Sequence, residues 1–121
     1  MLDHVGFQCA DLPASAAFYD AVLAPLGGRR LQDHKVAIGY GIDHADFWIS
    51  ESSEGVNRES HIAFEAADRN AVDGFFQAAV AAGAEVLHEP ALHPEYHEHY
   101  YGAFVRDPDG NNVEAVSHRP E

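Results

Sequence analysis

Two histidines 57 positions apart open the same pattern twice, and this repeat constrains the fold more than any other feature of the chain. His4 stands near the start of LDHVGFQC, and His61 near the start of SHIAFE. Each segment alternates with the period of two that belongs to a half-buried strand. Val5, Phe7 and Cys9 share one face, and His4, Gly6 and Gln8 share the other. Ile62 and Phe64 repeat the apolar face, while His61, Ala63 and Glu65 repeat the polar one.

Both strands run into a helix-spaced apolar stripe. Asp11 offers an N-cap carboxylate, Pro13 suits a first turn, and Ala17, Phe18, Ala21, Val22 and Leu26 recur at helical spacing until Gly27 and Gly28. Asp68 caps the second stripe of Val72, Phe75, Phe76, Ala79 and Val80, and Gly83 is placed to end it left-handed. Strand-like stretches follow at 29–33, 36–40 and 46–51 in the first half, and at 84–88, 100–106 and 111–117 in the second. DPDGN separates the last two as a strong turn signal. The expectation is an α+β fold of two βαβββ modules, about 1–56 and 57–121, in a single domain. The second module is longer by the segment 90–99, whose two prolines and three histidines are not expected to continue a neighbouring strand.

A chain of 121 residues, 46% of them hydrophobic, buries one core and not two independent ones. Twenty acidic against seven basic residues give a formal net charge of −13, which repels nucleic acid and anionic lipid, so neither is expected as a partner. The lone Cys9 has no intramolecular disulfide partner and shares the apolar parity of Val5 and Phe7, so it reads as a small buried hydrophobe. MLDHVGFQ lacks the features of a secretory signal, and no apolar run approaches the roughly 20 residues of a membrane span. A cytoplasmic location is the simplest expectation. Arg29, Arg30 and Arg58 read as solvated, with one of them available for a substrate carboxylate.

In the last strand, Glu114 has the polar-face parity of His4 and His61, with Val113 and Ala115 on the opposite face. If the halves wrap into a shared cup, His4, His61 and Glu114 converge on one cation. Two imidazoles and a carboxylate suit Zn, Ni, Co, Mn or Fe(II), with coordination positions left open for water and substrate. The competing reading leaves each as an ordinary polar residue of a strand. LHPEYHEHYY likewise has two readings: a solvated connection, or a lid over the cup in which His97 or His99 shuttles protons or adds a ligand.

The repeated βαβββ order, the HVGF strand, AFYDAVLAPLG, SHIAF and the terminal DPDGNNVEAV together resemble the vicinal oxygen chelate superfamily over nearly the whole chain. That superfamily includes glyoxalase I, extradiol dioxygenases, fosfomycin-resistance transferases and bleomycin-resistance proteins. The resemblance implies modules whose mixed sheets curl around a cavity, with metal ligands on the first and last strands of each half. His4, His61 and Glu114 match three of those four positions. Stepping back from Glu114 by the repeat, less roughly nine residues of excess, lands near Trp48, where glyoxalase I has a glutamate. Trp48 is therefore expected as a cavity wall, with Gln8 and Phe104, beside a three-ligand site. Asp46 is the substitute if the register slips by one pair. Tyr100, Gly102 and Phe104 share a face that lines the cavity by the same resemblance, with Tyr100 placed to orient a substrate oxygen.

The resemblance implies a homodimer in which His4 of one copy meets His61 and Glu114 of the other. It also implies a divalent metal ion, either Zn, Ni, Mn or Fe, and a small-molecule substrate with two adjacent oxygens. A glyoxalase-like lyase or isomerase is the first expectation, with Glu114, His97, His99 and Tyr100 as its catalytic candidates. The alternatives are an Fe(II) extradiol dioxygenase, because two histidines and a glutamate form its facial triad, and a metal-free binder that sequesters a drug or metabolite.

Overall fold

In the computed structural model, residues 1–52 and 59–121 are described; Arg58, read above as solvated, lies outside them. The first module runs β1 (Val5–Cys9), α1 (Leu12–Leu23), β2 (Arg29–Asp33), β3 (Ala37–Gly41) and β4 (Phe47–Glu51). The second runs β5 (His61–Glu65), α2 (Arg69–Ala81), β6 (Val86–Leu92), β7 (Tyr101–Arg106) and β8 (Asn112–Ser117).

Asp11 accepts a hydrogen bond from Ala14 N at 3.1 Å and Asp68 one from Ala71 N at 2.9 Å, so both acidic caps satisfy helix donors that would otherwise be orphaned. After α1, a single 3-10 turn over Ala24–Leu26 ends at left-handed Gly27, and left-handed Gly83 follows α2. The buried stripe of α1 is Leu12, Ala16, Tyr19, Val22 and Leu23 with Phe18, so the helix is turned slightly from the face that Ala17 and Ala21 indicated.

Each module forms an open, mixed four-stranded sheet of the same order, β1-β4-β3-β2 and β5-β8-β7-β6. The parallel pair is the first and last strand of each module. The registers superimpose the repeat. Gly6, two residues after His4, faces Trp48, while Ala63, two residues after His61, faces Glu114. Trp48 thus holds in the first module the place that Glu114 holds in the second.

One strand differs from expectation. β6 does not stop at His88 but continues through Pro90 to Leu92. Its register against β7 shifts between Val86 and His88 and again between His88 and Ala91, so Pro90 falls in a bulged stretch where its missing N–H costs no ladder bond.

The apolar faces of both sheets and both helices share one core, in which Tyr19, Val22, Val72, Phe75, Val105, Val113 and Ala115 are fully buried. Full burial of one such Val or Phe side chain contributes roughly 1.5–3 kcal/mol. The Phe47 and Phe64 rings meet edge to face at 5.1 Å across the seam between modules. Burial pushes the Cys9 thiol above its ordinary range, and the thiol donates to Ser50 O at 3.3 Å, as suits a core residue.

The DPDGN segment does more than turn the chain. Asp107, buried, accepts at Oδ2 from Tyr19 O–H (2.7 Å) and Asn111 Nδ2 (2.9 Å), and at Oδ1 from the backbone of Asp109 and Asn111. Asp109 reaches into the other module, accepting from Ala10 N at 3.1 Å and Ser15 Oγ at 3.3 Å. Both carboxylates join the modules: buried Asp107 must be met by donors, which come from both halves, and the more open Asp109 takes its donors from the first module.

Among the described residues, no helix is long and apolar enough to cross a membrane.

Candidate active site

Strand alternation sends Val113 and Ala115 into the core and Glu114 to the opposite face. Glu114 is nevertheless only 1% exposed, because β5 and β7 flank it and side chains from both close over it. A carboxylate so enclosed requires donors or a cation. Tyr100 supplies one, its hydroxyl donating to Glu114 Oε2. Burial first, and the neighbouring Glu114 second, raise the Tyr100 phenol above its ordinary range, which keeps it a donor at neutral pH. Gly102 makes the pairing possible. A Cβ there would stand 3.2 Å from Glu114 Oε2 and 3.3 Å from the Tyr100 ring, tighter than either contact normally tolerates.

The other carboxylate oxygen faces His61. His61 Nε2 lies 3.2 Å from Glu114 Oε1, while His61 Nδ1 is 3.1 Å from the backbone carbonyl of Asn112. A carbonyl only accepts, so that contact places a proton on Nδ1 and leaves Nε2 to meet Oε1 either as the second N–H of an imidazolium or as a ligand beside a shared cation. Two lone pairs do not hold such a contact unaided; a proton or a cation must lie between them. Two ligands about 2.1 Å from a shared metal stand roughly 3.0–3.4 Å apart, and a ligating histidine characteristically anchors its other nitrogen on a carbonyl. His61 and Glu114 therefore fit as two ligands of a divalent metal ion.

These two residues open on a groove of about 530 Å³. Phe104, Tyr96 and Tyr100 form its aromatic walls, and His97 and Asn112 complete the lining. The Phe104 ring stacks on His61 at 6.3 Å, and Tyr96 meets Tyr100 at 4.9 Å. No lysine or arginine is among the described lining residues.

The histidine-rich segment divides. His97 lines the groove, and its Nε2 is 2.8 Å from Nδ1 of His118. Its own Nδ1 accepts from His99 N at 3.1 Å, which makes Nε2–H the donor to His118. His99 itself points to Glu98 at 3.4 Å and is not part of the lining. His93 packs against Phe104, Tyr96 and Tyr100, behind the groove wall.

His4 stands apart from Glu114. It is exposed, pairs with Asp3 at 2.7 Å, and lines a neighbouring groove of about 430 Å³ along the seam with Val5, Phe47 and Phe64. His61 lines both grooves. Among the described residues of one chain, no three His, Cys, Asp or Glu side chains come together as a metal site. Trp48 and Gln8 lie on the first module's sheet, outside the Glu114 groove. Trp48 stacks on His34 at 6.0 Å and covers Gly39, while Gln8 pairs with Ser50 and is exposed. Asp46 lies in the seam groove, beside His4.

Tyr96, Asn112 and His118 are the neighbours that pattern reading missed. Asn112 carried a signal, since it shares the parity of Glu114 two residues on. Tyr96 and His118 carried none, because each lies outside any strand or helix and reaches its place through the chain's path.

The family model of the Glyoxalase/Bleomycin resistance protein/Dioxygenase superfamily matches residues 1–115. A glyoxalase/bleomycin resistance protein from Albidiferax ferrireducens T118 has a similar structure, with a TM-score of 0.83 at 29% identity over 95% of this chain and 97% of that one. A putative glyoxalase from Bacillus halodurans gives 0.75 at 28% identity, covering 97% and 95%. A lactoylglutathione lyase from Agrobacterium tumefaciens gives 0.71 at 22%, covering 97% and 92%, a likeness of fold alone. No curated protein matches the chain.

Proposed function

Since the chain belongs to the Glyoxalase/Bleomycin resistance protein/Dioxygenase superfamily, we propose that it is a metal-dependent, glyoxalase-like lyase or isomerase acting on a small substrate with two adjacent oxygens. One observation carries this reading: His61 Nε2 lies 3.2 Å from Glu114 Oε1, with the other imidazole nitrogen committed to a carbonyl, the spacing of two ligands to one cation. A divalent metal held by His61 and Glu114 would supply Lewis-acid polarisation of the substrate oxygens.

The chain's own residues do the rest. Tyr100 fixes Glu114 by committing its one hydroxyl proton to Oε2. Phe104 and Tyr96 give the groove aromatic walls against which the body of a substrate packs. His97 is the loop imidazole on the groove wall, and its bond to His118 leads from the groove to solvent. A proton taken at His97 Nδ1 would displace the bond from His99 N and release the Nε2 proton to His118.

The third ligand comes from a second copy. His4 is exposed on the seam groove that also includes His61, so a homodimer that brings one copy's seam against the other's Glu114 groove supplies it. The expected substrate is a small molecule, and the chain is taken as one domain, 1–121, of two modules bounded in sequence at about 1–56 and 57–121.

Metal content of the untagged protein tests the reading. Near-stoichiometric divalent metal is expected in the wild type and its loss, with at least a hundredfold fall in kcat/KM, in His61→Ala and Glu114→Ala. Mixing His4→Ala with His61→Ala should restore one site in each heterodimer and none in the remaining homodimers. Metal retained in both His61→Ala and Glu114→Ala would sink the assignment.

A further inference from the structure

The two carboxylate oxygens of Glu114 go to different partners. Oε1 stands 3.2 Å from His61 Nε2, whereas Oε2 receives the hydroxyl of Tyr100. Tyr100 lies just before β7, and rings surround its own: Tyr96 at 4.9 Å, His118 at 5.4 Å, His97 at 5.5 Å and His93 at 6.1 Å between centroids. A phenol packed on that many sides has little freedom to turn its hydroxyl elsewhere. The missing side chain of Gly102 leaves the space in which ring and carboxylate meet. Burial sharpens the consequence. Glu114 is 1% exposed, so an Oε2 deprived of this donor loses a partner that bulk water does not replace.

We propose that Tyr100 is a positioning residue that keeps Glu114 a one-oxygen ligand: by holding Oε2 it leaves Oε1 alone for a divalent cation, and so keeps one coordination position free for substrate or water. The proposal rests on the reading of His61 and Glu114 as metal ligands. Carboxylates bind cations through one oxygen or through both, and a second oxygen takes its position from another ligand. Nothing in Glu114 itself selects between these modes. The choice comes from a hydroxyl that gives Oε2 a proton to accept and is itself held in place by its neighbours. The same bond serves the metal-free protein, where it satisfies an oxygen otherwise buried without a donor. Its loss therefore costs the metal-free protein more than the loaded one, in which the cation takes over Oε2. Tighter metal binding and one fewer open position are expected together. A ligand that had only lost its support would bind metal more weakly.

Mn(II) is the probe, because its unpaired electrons relax the protons of every water bound to it. Untagged wild type and Tyr100→Phe are titrated with Mn(II), the free ion is followed by its electron spin resonance, and water-proton relaxation is read per bound ion. Tyr100→Phe keeps the ring and removes only the hydroxyl. It should bind Mn(II) as tightly as wild type or more so, with relaxation per bound ion lower by the share of one water, roughly a third where three of six positions are open. Tyr100→Leu repeats the comparison if the phenylalanine variant does not fold. Unchanged relaxation per bound ion, or Mn(II) binding weaker by more than about twofold, would overturn the inference while leaving His61 and Glu114 as the metal site. A wild type that binds no Mn(II), or binding that survives in both His61→Ala and Glu114→Ala, would overturn the inference together with the site on which it rests.

Discussion

Trp48 and Glu114 occupy equivalent places in the two modules, one opposite Gly6 and Gly39, the other opposite Ala63 and Phe104. Large and small residues are exchanged between them. In the first module the indole covers a glycine, while in the second a carboxylate lies beside a phenyl ring. The duplicated frame thus carries a buried carboxylate at one position and an aromatic surface at its counterpart.

Gly39 should be intolerant of any side chain while Trp48 is present. A Cβ at Gly39 would lie 2.8 Å from the indole and 2.9 Å from the Ala45 methyl. Gly39→Ala is expected to lower stability by about 1–3 kcal/mol, the usual cost of overpacking. Part of that cost should vanish in the Trp48→Ala background, with the Ala45 methyl holding the rest, and urea melts of the four proteins in the cycle would show the relief as a coupling.

The two aspartates of DPDGN should differ sharply. Asp107→Ala strands the Tyr19 hydroxyl and the Asn111 amide in the interior, at about 3 kcal/mol for two lost partners. Asp109→Ala removes bonds from Ala10 N and Ser15 Oγ at a more open position, so about 1 kcal/mol is expected. Chemical denaturation midpoints at constant m would rank the two variants; a larger loss in Asp109→Ala would contradict the burial difference.

Stability should fall at alkaline pH in a way that Tyr19 controls. Burial first, and then Asp107, hold its phenol well above the ordinary value of about 10. Below that pH both folded and unfolded chains keep the proton, and the contribution is intact. Above it the unfolded chain ionises first and binds fewer protons, so stability declines as pH rises through the folded value. Tyr19→Phe should flatten this decline, although Tyr40, raised by burial and by Asp20, leaves part of the slope. Thermal melts from pH 8 to 11 with phenolate absorbance would show the difference.

The repeat, the two acid-capped helices and most strand positions were legible because period and capping are local properties of sequence. The parity of His61 and Glu114 gave both to the polar side of their strands, and the register set those strands side by side so that both lie on one face of the sheet. The projection of the repeat also reached Trp48 as the counterpart of Glu114. β6 extended beyond its expected end because two register shifts accommodate Pro90, and nothing in local propensity announces a bulge. His4 separates from Glu114 because the modules meet at Phe47 and Phe64, a tertiary contact that alternation cannot specify. The turn chemistry of DPDGN was visible in sequence, but its side-chain bonds into the other module were not, since Ala10 and Ser15 lie far away along the chain.

The bond from Ala10 N to Asp109 joins residues 99 positions apart, nearly the whole chain. Closing so long a loop early would sacrifice most of the chain's conformational freedom for a single contact. Each βαβββ unit brings its own strands together over much shorter separations, so the favoured order of folding is the two sheets first and this clasp afterwards. The clasp then forms after the rate-limiting step. Its removal should leave the speed of folding nearly unchanged and hasten unfolding, making Asp109 a determinant of how long the native chain persists.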